Sequence, residues 1–312
     1  MAKLSTYLRP FLEYVEVDKG RSPLTVRNYS FYLQRFVDWA KDPNPADISE
    51  EMMHNYRLYL NRLEARGQGT LKKTTQNYHL IALRTWLKFL ARRNVQTLSS
   101  EKVDLAKQGS REVSFLDGDD LDRILRAPET SDNAPIVQAR DQAILELFFS
   151  TGMRVSELAS LTREQINLKR DEFTIRGKGD KTRIVFVSER AKNAIKAYLE
   201  RRADVSPFLF IRHDRAAGGE IGGPLTPRSI ERLVHRYAVL AGITKHVSPH
   251  TLRHSFATDL LINGADIRSV QTMLGHASIT TTQLYTHITN QQLQEVHQHF
   301  HGAKRNHKPT KT

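Results

Sequence analysis

The chain has 312 residues, of which 39% are hydrophobic and 8% aromatic, enough to bury cores in two ordinary domains and against wholesale disorder. Its net charge of +13 favours a polyanionic partner, nucleic acid first. No segment approaches about 18 uninterrupted apolar residues, MAKLSTYLRPFLEYVEV lacks an apolar signal core, and there is no cysteine for a disulfide, a thiolate nucleophile or a cysteine zinc site. The absence of cysteine is compatible with a cytoplasmic protein, and no membrane contact is expected.

In chain order, residues 4–17 carry Leu4, Leu8, Phe11, Leu12 and Val15 at helical spacing. Ser22 caps a second helix before Pro23, running to about Ala40 with Tyr29, Leu33 and Phe36 as its stripe. DPNPAD breaks it, Ser49 caps a third helix, and GQG breaks that one. The fourth runs from about Lys73 to Arg93, with Leu80, Leu83, Trp86, Leu87 and Leu90 facing a core. A small helical bundle follows from these patterns. Its polar faces hold Arg27, Lys72, Lys73, Arg84, Lys88, Arg92 and Arg93, a set suited to phosphate contacts. EKVDLAKQGSRE, 101–112, shows no periodicity and reads as an exposed linker.

Helices are expected near 117–127, 139–150, 156–161, 189–203, 227–241, 249–262, 266–274, 279–288 and 290–300. One β hairpin interrupts them, EFTIRGKGDKTRIVFV. Phe173 and Ile175 alternate with Thr174, Arg176 and Lys178, Gly179-Asp180 suits a two-residue type II′ turn, and Ile184 and Phe186 repeat the alternation on the return strand. The fold class is therefore mainly α: an N-terminal helical bundle followed by a helical domain with a small β-hairpin sheet. The basic excess is +7 over residues 1–109 and +6 beyond, so both lobes are expected to touch the polyanion.

The chemistry-bearing residues come late. In TGMRVSELASL, Thr151-Gly152 ends one helix, Ser156 caps the next, and Arg154 lies between them with Glu157 three residues on. Ser248 and Pro249 open a helix whose first turns hold His250 and Arg253, three apart on a face pointing away from Leu252 and Phe256. Gly275 ends a helix, His276 follows it, Ser278 caps the next, and Tyr285 lies on that one. GKGDK lacks the P-loop frame, and the His250–His254 spacing lacks the glutamate of a metalloprotease helix. The HQHFH run at 297–301 is at most a weak metal ligand set. No cofactor and no metal are expected.

Arg154 with Glu157, Lys178 on a hairpin, HxxR at His250 and Arg253, Gly275-His276, and LYTH around Tyr285 resemble, in order and spacing, the tyrosine recombinases of the phage integrase type. The length, the two-part layout and the histidine-rich end are most similar to the Xer branch. The resemblance implies a core-binding DNA-binding domain over 1–100, a catalytic domain over 113–300 and a basic disordered tail over 301–312. It implies a site-specific recombinase that passes through a 3′-phosphotyrosine and a Holliday junction. Tyr285 is then the nucleophile, Arg154 and Arg253 clamp the phosphate, and His250 and His276 add donors or acid–base function. Lys178 protonates the leaving oxygen, Glu157 supports, and Arg176 and Lys181 join the DNA-binding candidates. The implied partners are double-stranded DNA with specific recombination sites and a homo- or hetero-tetramer on synapsed DNA. Activation by a DNA translocase stays open, as does the choice between chromosome or plasmid dimer resolution and mobile-element integration. A type IB topoisomerase and a non-catalytic DNA-binding regulator are the alternatives.

Overall fold

The computed structural model describes residues 2–64, 69–107, 114–177, 182–213 and 222–275. The chain divides into two compact units, Met1–Arg111 and Glu112–Thr312.

The first unit holds α1 (Leu8–Glu16), α2 (Pro23–Trp39), α3 (Glu50–Arg62) and α4 (Lys73–Arg92). A short 3-10 turn, Leu4–Tyr7, precedes α1 where sequence spacing predicts one continuous helix. Ser22 and Ser49 cap α2 and α3, each accepting a backbone N–H from the first turn. Leu80, Leu83, Trp86, Leu87 and Leu90 on α4 are all within 1% of complete burial, and each contributes roughly 1.5–3 kcal/mol by leaving water. They meet Phe11, Leu33, Phe36 and Tyr56 from the other three helices.

The segment after α4 departs from the sequence expectation. Glu101, Lys102 and Asp104 are exposed, but the stretch 101–106 is tied to the bundle. Ser100–Lys102 form a 3-10 turn, Val103 is buried in the bundle core, and the Asn77 side chain bonds both the N–H and the C=O of Ala106 at 2.9 Å. Absent periodicity says that no helix is present. It does not say that the backbone is solvated.

The second unit holds α5 (Gly118–Arg126), α6 (Pro135–Thr151), α7 (Val155–Ala159), β1 (Glu172–Arg176), β2 (Thr182–Phe186), α8 (Glu189–Leu199), α9 (Pro227–Leu240), α10 (Pro249–Ile262) and α11 (Ile267–Leu274). α6 is its central rod. Ala143, Ile144, Leu145, Leu147 and Phe148 are buried on several sides of that helix, against α8 and α10. It begins at Pro135, four residues earlier than its apolar spacing indicates, because a proline is well placed at a first helical position. α8 stops at Leu199, short of the expected 203.

The hairpin is present, with a different register. Arg176 pairs with Thr182 and Ile175 with Arg183. A two-residue turn at Gly179-Asp180 would have paired Arg176 with Arg183. One residue of slip exchanges the faces of a strand. Val185 and Val187 are accordingly inside, and Ile184 and Phe186 stand half exposed on the outer face. The same slip turns Arg183 inward, opposite buried Ile175.

Candidate active site

α6 ends on Gly152, whose φ of 55° is the left-handed conformation that suits glycine. Two residues later Arg154 occupies the N-cap of α7. Sequence reasoning gave that place to Ser156. Glu157, in the first turn, does the capping instead: its Oε2 accepts the Arg154 backbone N–H at 2.7 Å and its Oε1 accepts Arg154 Nη1 at 2.9 Å. A carboxylate here satisfies an orphan N–H and lies at the positive end of the helix.

α10 opens as its sequence indicates, with Ser248 as N-cap, Pro249 next and a reciprocal Ser248–Thr251 capping box. His250 in the first turn is exposed. Arg253 is not on a solvent face with it: the residue is 5% exposed and turns inward. Its Nη1 donates to the carbonyl of Gly152, at the end of α6, and its Nη2 donates to that of Leu274 at 2.6 Å. Helix C-termini carry orphan carbonyls and partial negative charge, which lets them hold a buried guanidinium.

The C-terminal turn of α11 collects the cations. Three consecutive carbonyls, Met273, Leu274 and Gly275, accept from Arg183 Nε at 3.2 Å, Arg253 Nη2 at 2.6 Å and Arg154 Nη2 at 3.1 Å. Gly275 closes the helix with φ 63°. Arg183 also grips Glu157 with a bidentate fork, 2.8 Å to Oε1 and 2.7 Å to Oε2. Burial alone would raise the Glu157 pKa. The hydrogen bonds from Arg183 and Arg154 outweigh burial and hold it below the ordinary glutamate value. Arg183 is the site residue that sequence reasoning missed, and the misplaced turn hid it.

Lys178, Lys181, His276 and Tyr285 lie outside the described residues. Arg176 is exposed at the end of β1. In the first unit Arg27, Lys72, Lys73, Lys88, Arg92 and Arg93 are exposed, whereas Arg84 is half-buried and donates to the Ser100 carbonyl. Arg92 donates to the Tyr14 hydroxyl, and Arg93 covers the Phe89 ring. Tyr198 and Tyr237 are fully buried. Burial, with the Asp141 carboxylate beside Tyr237, pushes both phenols above their ordinary pKa, and the Tyr237 hydroxyl donates to Asp141. Among the described residues no three metal-ligating side chains cluster, and no helix is long and apolar enough to cross a membrane.

Guanidiniums fixed to one turn of backbone form a preorganised site for an anion with several oxygens. A phosphoryl group in transition has that character, and fixed donors stabilise it without reorganisation. The model of the phage integrase family matches residues 114–292. The chain belongs to that family, the tyrosine recombinases. It is an enzyme of DNA strand cleavage and rejoining, and it recombines DNA site-specifically through a covalent intermediate. The SAM-like N-terminal domain of phage integrases matches residues 8–94. The recombinase is 33% identical over 303 residues to tyrosine recombinase XerC of Bacillus subtilis, covering 96% of this chain and 98% of that one. It is also 33% identical over 308 residues to tyrosine recombinase XerD of Halalkalibacterium halodurans, covering 96% and 99%. The XerH recombinase bound to its palindromic difH substrate, in a post-cleavage complex, shares the fold, with a TM-score of 0.71, 24% identity, and coverage of 94% of this chain and 83% of that one.

Proposed function

We propose that Tyr285 is the nucleophile and that Arg154 and Arg253 clamp the non-bridging oxygens of the scissile phosphate, with His250 and His276 as further donors or acid–base groups. The observation that carries this reading is the α11 turn, where adjacent carbonyls hold both arginines. The Tyr285 hydroxyl gives its proton to one of the two histidines as it attacks phosphorus in line, the bond to the 5′-oxygen breaks, and Lys178 gives that oxygen its proton. The strand is left with a 3′-phosphotyrosine and a free 5′-hydroxyl. A 5′-hydroxyl from the partner duplex reverses the step, so the bond energy is kept and ligation needs no nucleotide. Tyr198 and Tyr237 support the assignment of Tyr285, because both other tyrosines of the second unit are buried in hydrogen-bonded networks.

The first unit is the core-binding domain in this reading. Its basic excess lies on α2 and α4, which carry Arg27, Arg35, Lys73, Arg84, Lys88 and Arg92 against one acid, Asp38. α1 and α3 carry Arg9, Arg57 and Arg62 against four acids. The α2–α4 side is therefore the phosphate-contacting side. The working assembly is a tetramer joining two duplexes, and the choice of DNA site sets the biological role.

Incubating the full chain with a randomised duplex library, quenching in SDS and sequencing the adducts tests both the chemistry and the site. The wild type should yield adducts on one recurrent site, and Tyr285→Phe none. Adduct formed by Tyr285→Phe at the wild-type rate would move the nucleophile elsewhere. A plasmid with two copies of the recovered site should give recombinant circles. Relaxation without recombinants would indicate topoisomerase activity instead.

A further inference from the structure

We propose that Arg183 is a positioning residue for strand cleavage: it neutralises Glu157 so that the charge of Arg154 is left for the phosphate. The proposal rests on the active-site reading above. Glu157 accepts four N–H groups, two from Arg154 and two from Arg183. Those four bonds fill the acceptor sites of a carboxylate. The two arginines divide the work by depth. The Arg183 side chain is 10% exposed and Arg154 31%, with Glu157 at 5%. The deeper arginine is committed to the carboxylate and the Met273 carbonyl, and the shallower one keeps an open side.

Charge decides what Arg183 adds. Two guanidiniums and one carboxylate leave a net positive cluster at the site. Without Arg183 the pair Arg154–Glu157 is neutral, and a buried carboxylate with one partner would hold that partner tightly. The positive field at the phosphate would fall although Arg154 itself is intact. Geometry adds a second link. Arg183 Nε reaches the Met273 carbonyl, and a Cβ on Gly275 would come 3.0 Å from Arg183 Cδ. Gly275 therefore leaves room for the arginine as well as ending α11. Through one side chain the hairpin strand β2, the start of α7 and the last turn of α11 are held together.

The test is single-turnover cleavage of a duplex carrying the site recovered by the library trapping. Arg183→Gln should cut about tenfold to a hundredfold more slowly, less than the loss of a direct electrostatic donor. Its DNA affinity should change less than about threefold, the remaining phosphate contacts being intact. A second duplex carries a methylphosphonate at the scissile position, where one charged non-bridging oxygen is replaced by methyl. On that duplex the ratio of wild-type to variant rate should shrink to within about threefold, and the ratio for Arg154→Ala should shrink with it, since less charge needs stabilising. In a Glu157→Gln background, Arg183→Gln should add little, since no carboxylate remains to neutralise.

An equal defect on both duplexes, or full additivity with Glu157→Gln, would overturn the proposal and leave Arg183 a fold-stabilising contact. Arg183→Lys keeps the charge and loses the fork. It carries the test if Arg183→Gln does not fold: because the neutralising charge is kept, cleavage within about threefold of wild type supports the proposal, and a larger defect that is equal on both duplexes overturns it. A wild-type protein that forms no adduct on the ordinary duplex would instead overturn the active-site reading itself.

Discussion

Gly152→Ala perturbs the point where helix termination and the site meet. A Cβ built on Gly152 would stand 2.3 Å from Phe256 Cδ1, 2.8 Å from Cε1 and 3.0 Å from Leu274 Cδ2. Carbon atoms rest at about 3.5–4.0 Å, so the ring must retreat by more than about 1 Å. Its neighbours Ser255 and Ala257 are buried, and α10 cannot simply tilt away. Overpacking of this kind costs about 1–3 kcal/mol. The left-handed φ of 55° adds about 1–2 kcal/mol for a residue with a Cβ. The lower chain entropy of unfolded alanine returns about 0.4–1 kcal/mol. The net expectation is a loss of about 1–4.5 kcal/mol. Urea unfolding followed by far-UV circular dichroism measures it as a fall in midpoint at constant slope. Tryptophan emission supplies a control, because Trp39 and Trp86 both lie in the first unit. The double variant with Phe256→Ala should be more stable than the sum of the single losses by about 1–3 kcal/mol, the overlap having been removed. The Gly152 carbonyl also holds Arg253, so strand cleavage should fall with stability. A loss below about 0.5 kcal/mol, or strict additivity with Phe256→Ala, would refute the account of why glycine stands here.

Much of the fold was legible because its signals are local. Capping serines, the proline at the start of α10 and the apolar spacing of α4 are one-turn patterns, and α2, α3, α4, α10 and α11 fall where those patterns put them. Arg154, Glu157, His250 and Arg253 were legible as a candidate set, and Arg154, Glu157 and Arg253 do meet at the last turn of α11. What the sequence hid was non-local. The strand RIVFV is apolar on both faces, so alternation could not choose between Ile184 with Phe186 and Val185 with Val187. A compact turn at Gly179-Asp180 chose wrongly by one residue, a register in which Arg183 falls opposite Arg176 on the outer face. The inward turn of Arg253 was hidden for another reason. Its partners are the carbonyls of Gly152 and Leu274, and a carbonyl is the same group in every residue. Only the two glycines, Gly152 and Gly275, marked the helix ends that supply those acceptors. Val103 illustrates the limit from the other side, since one buried apolar residue in an aperiodic stretch leaves no pattern to read.

Three further outcomes are expected. Lys73→Ala and Lys88→Ala, both exposed on an α4 that carries no acidic residue, should each reduce the salt slope of DNA binding by about one, and an unchanged slope would place the DNA elsewhere. Burial, with Arg35 nearby, lowers the His79 pKa from 6.5 to about 4, so the unfolded chain binds its proton first and stability is lost as pH falls from 6.5 towards 4. His79→Gln should flatten that limb by up to one proton, about 1.4 kcal/mol per pH unit, in the tryptophan-monitored transition, and an unchanged limb would refute the burial argument. Arg253→Lys keeps the charge and is still expected to be severe. The guanidinium spans two carbonyls at the ends of different helices, Gly152 on α6 and Leu274 on α11, while the residue stays 5% exposed. An ammonium keeps the charge, but it lies on a shorter stem and has no planar fork. It can serve one carbonyl well, and the other is left buried and unpaired at about 1–3 kcal/mol. Because adjacent Gly275 carries Arg154, releasing Leu274 also loosens the second arginine. Cleavage by Arg253→Lys should therefore fall about 10²–10³-fold, as for outright loss of a fixed donor. Near wild-type cleavage would show that charge alone suffices and that the shared turn of α11 does not set the geometry.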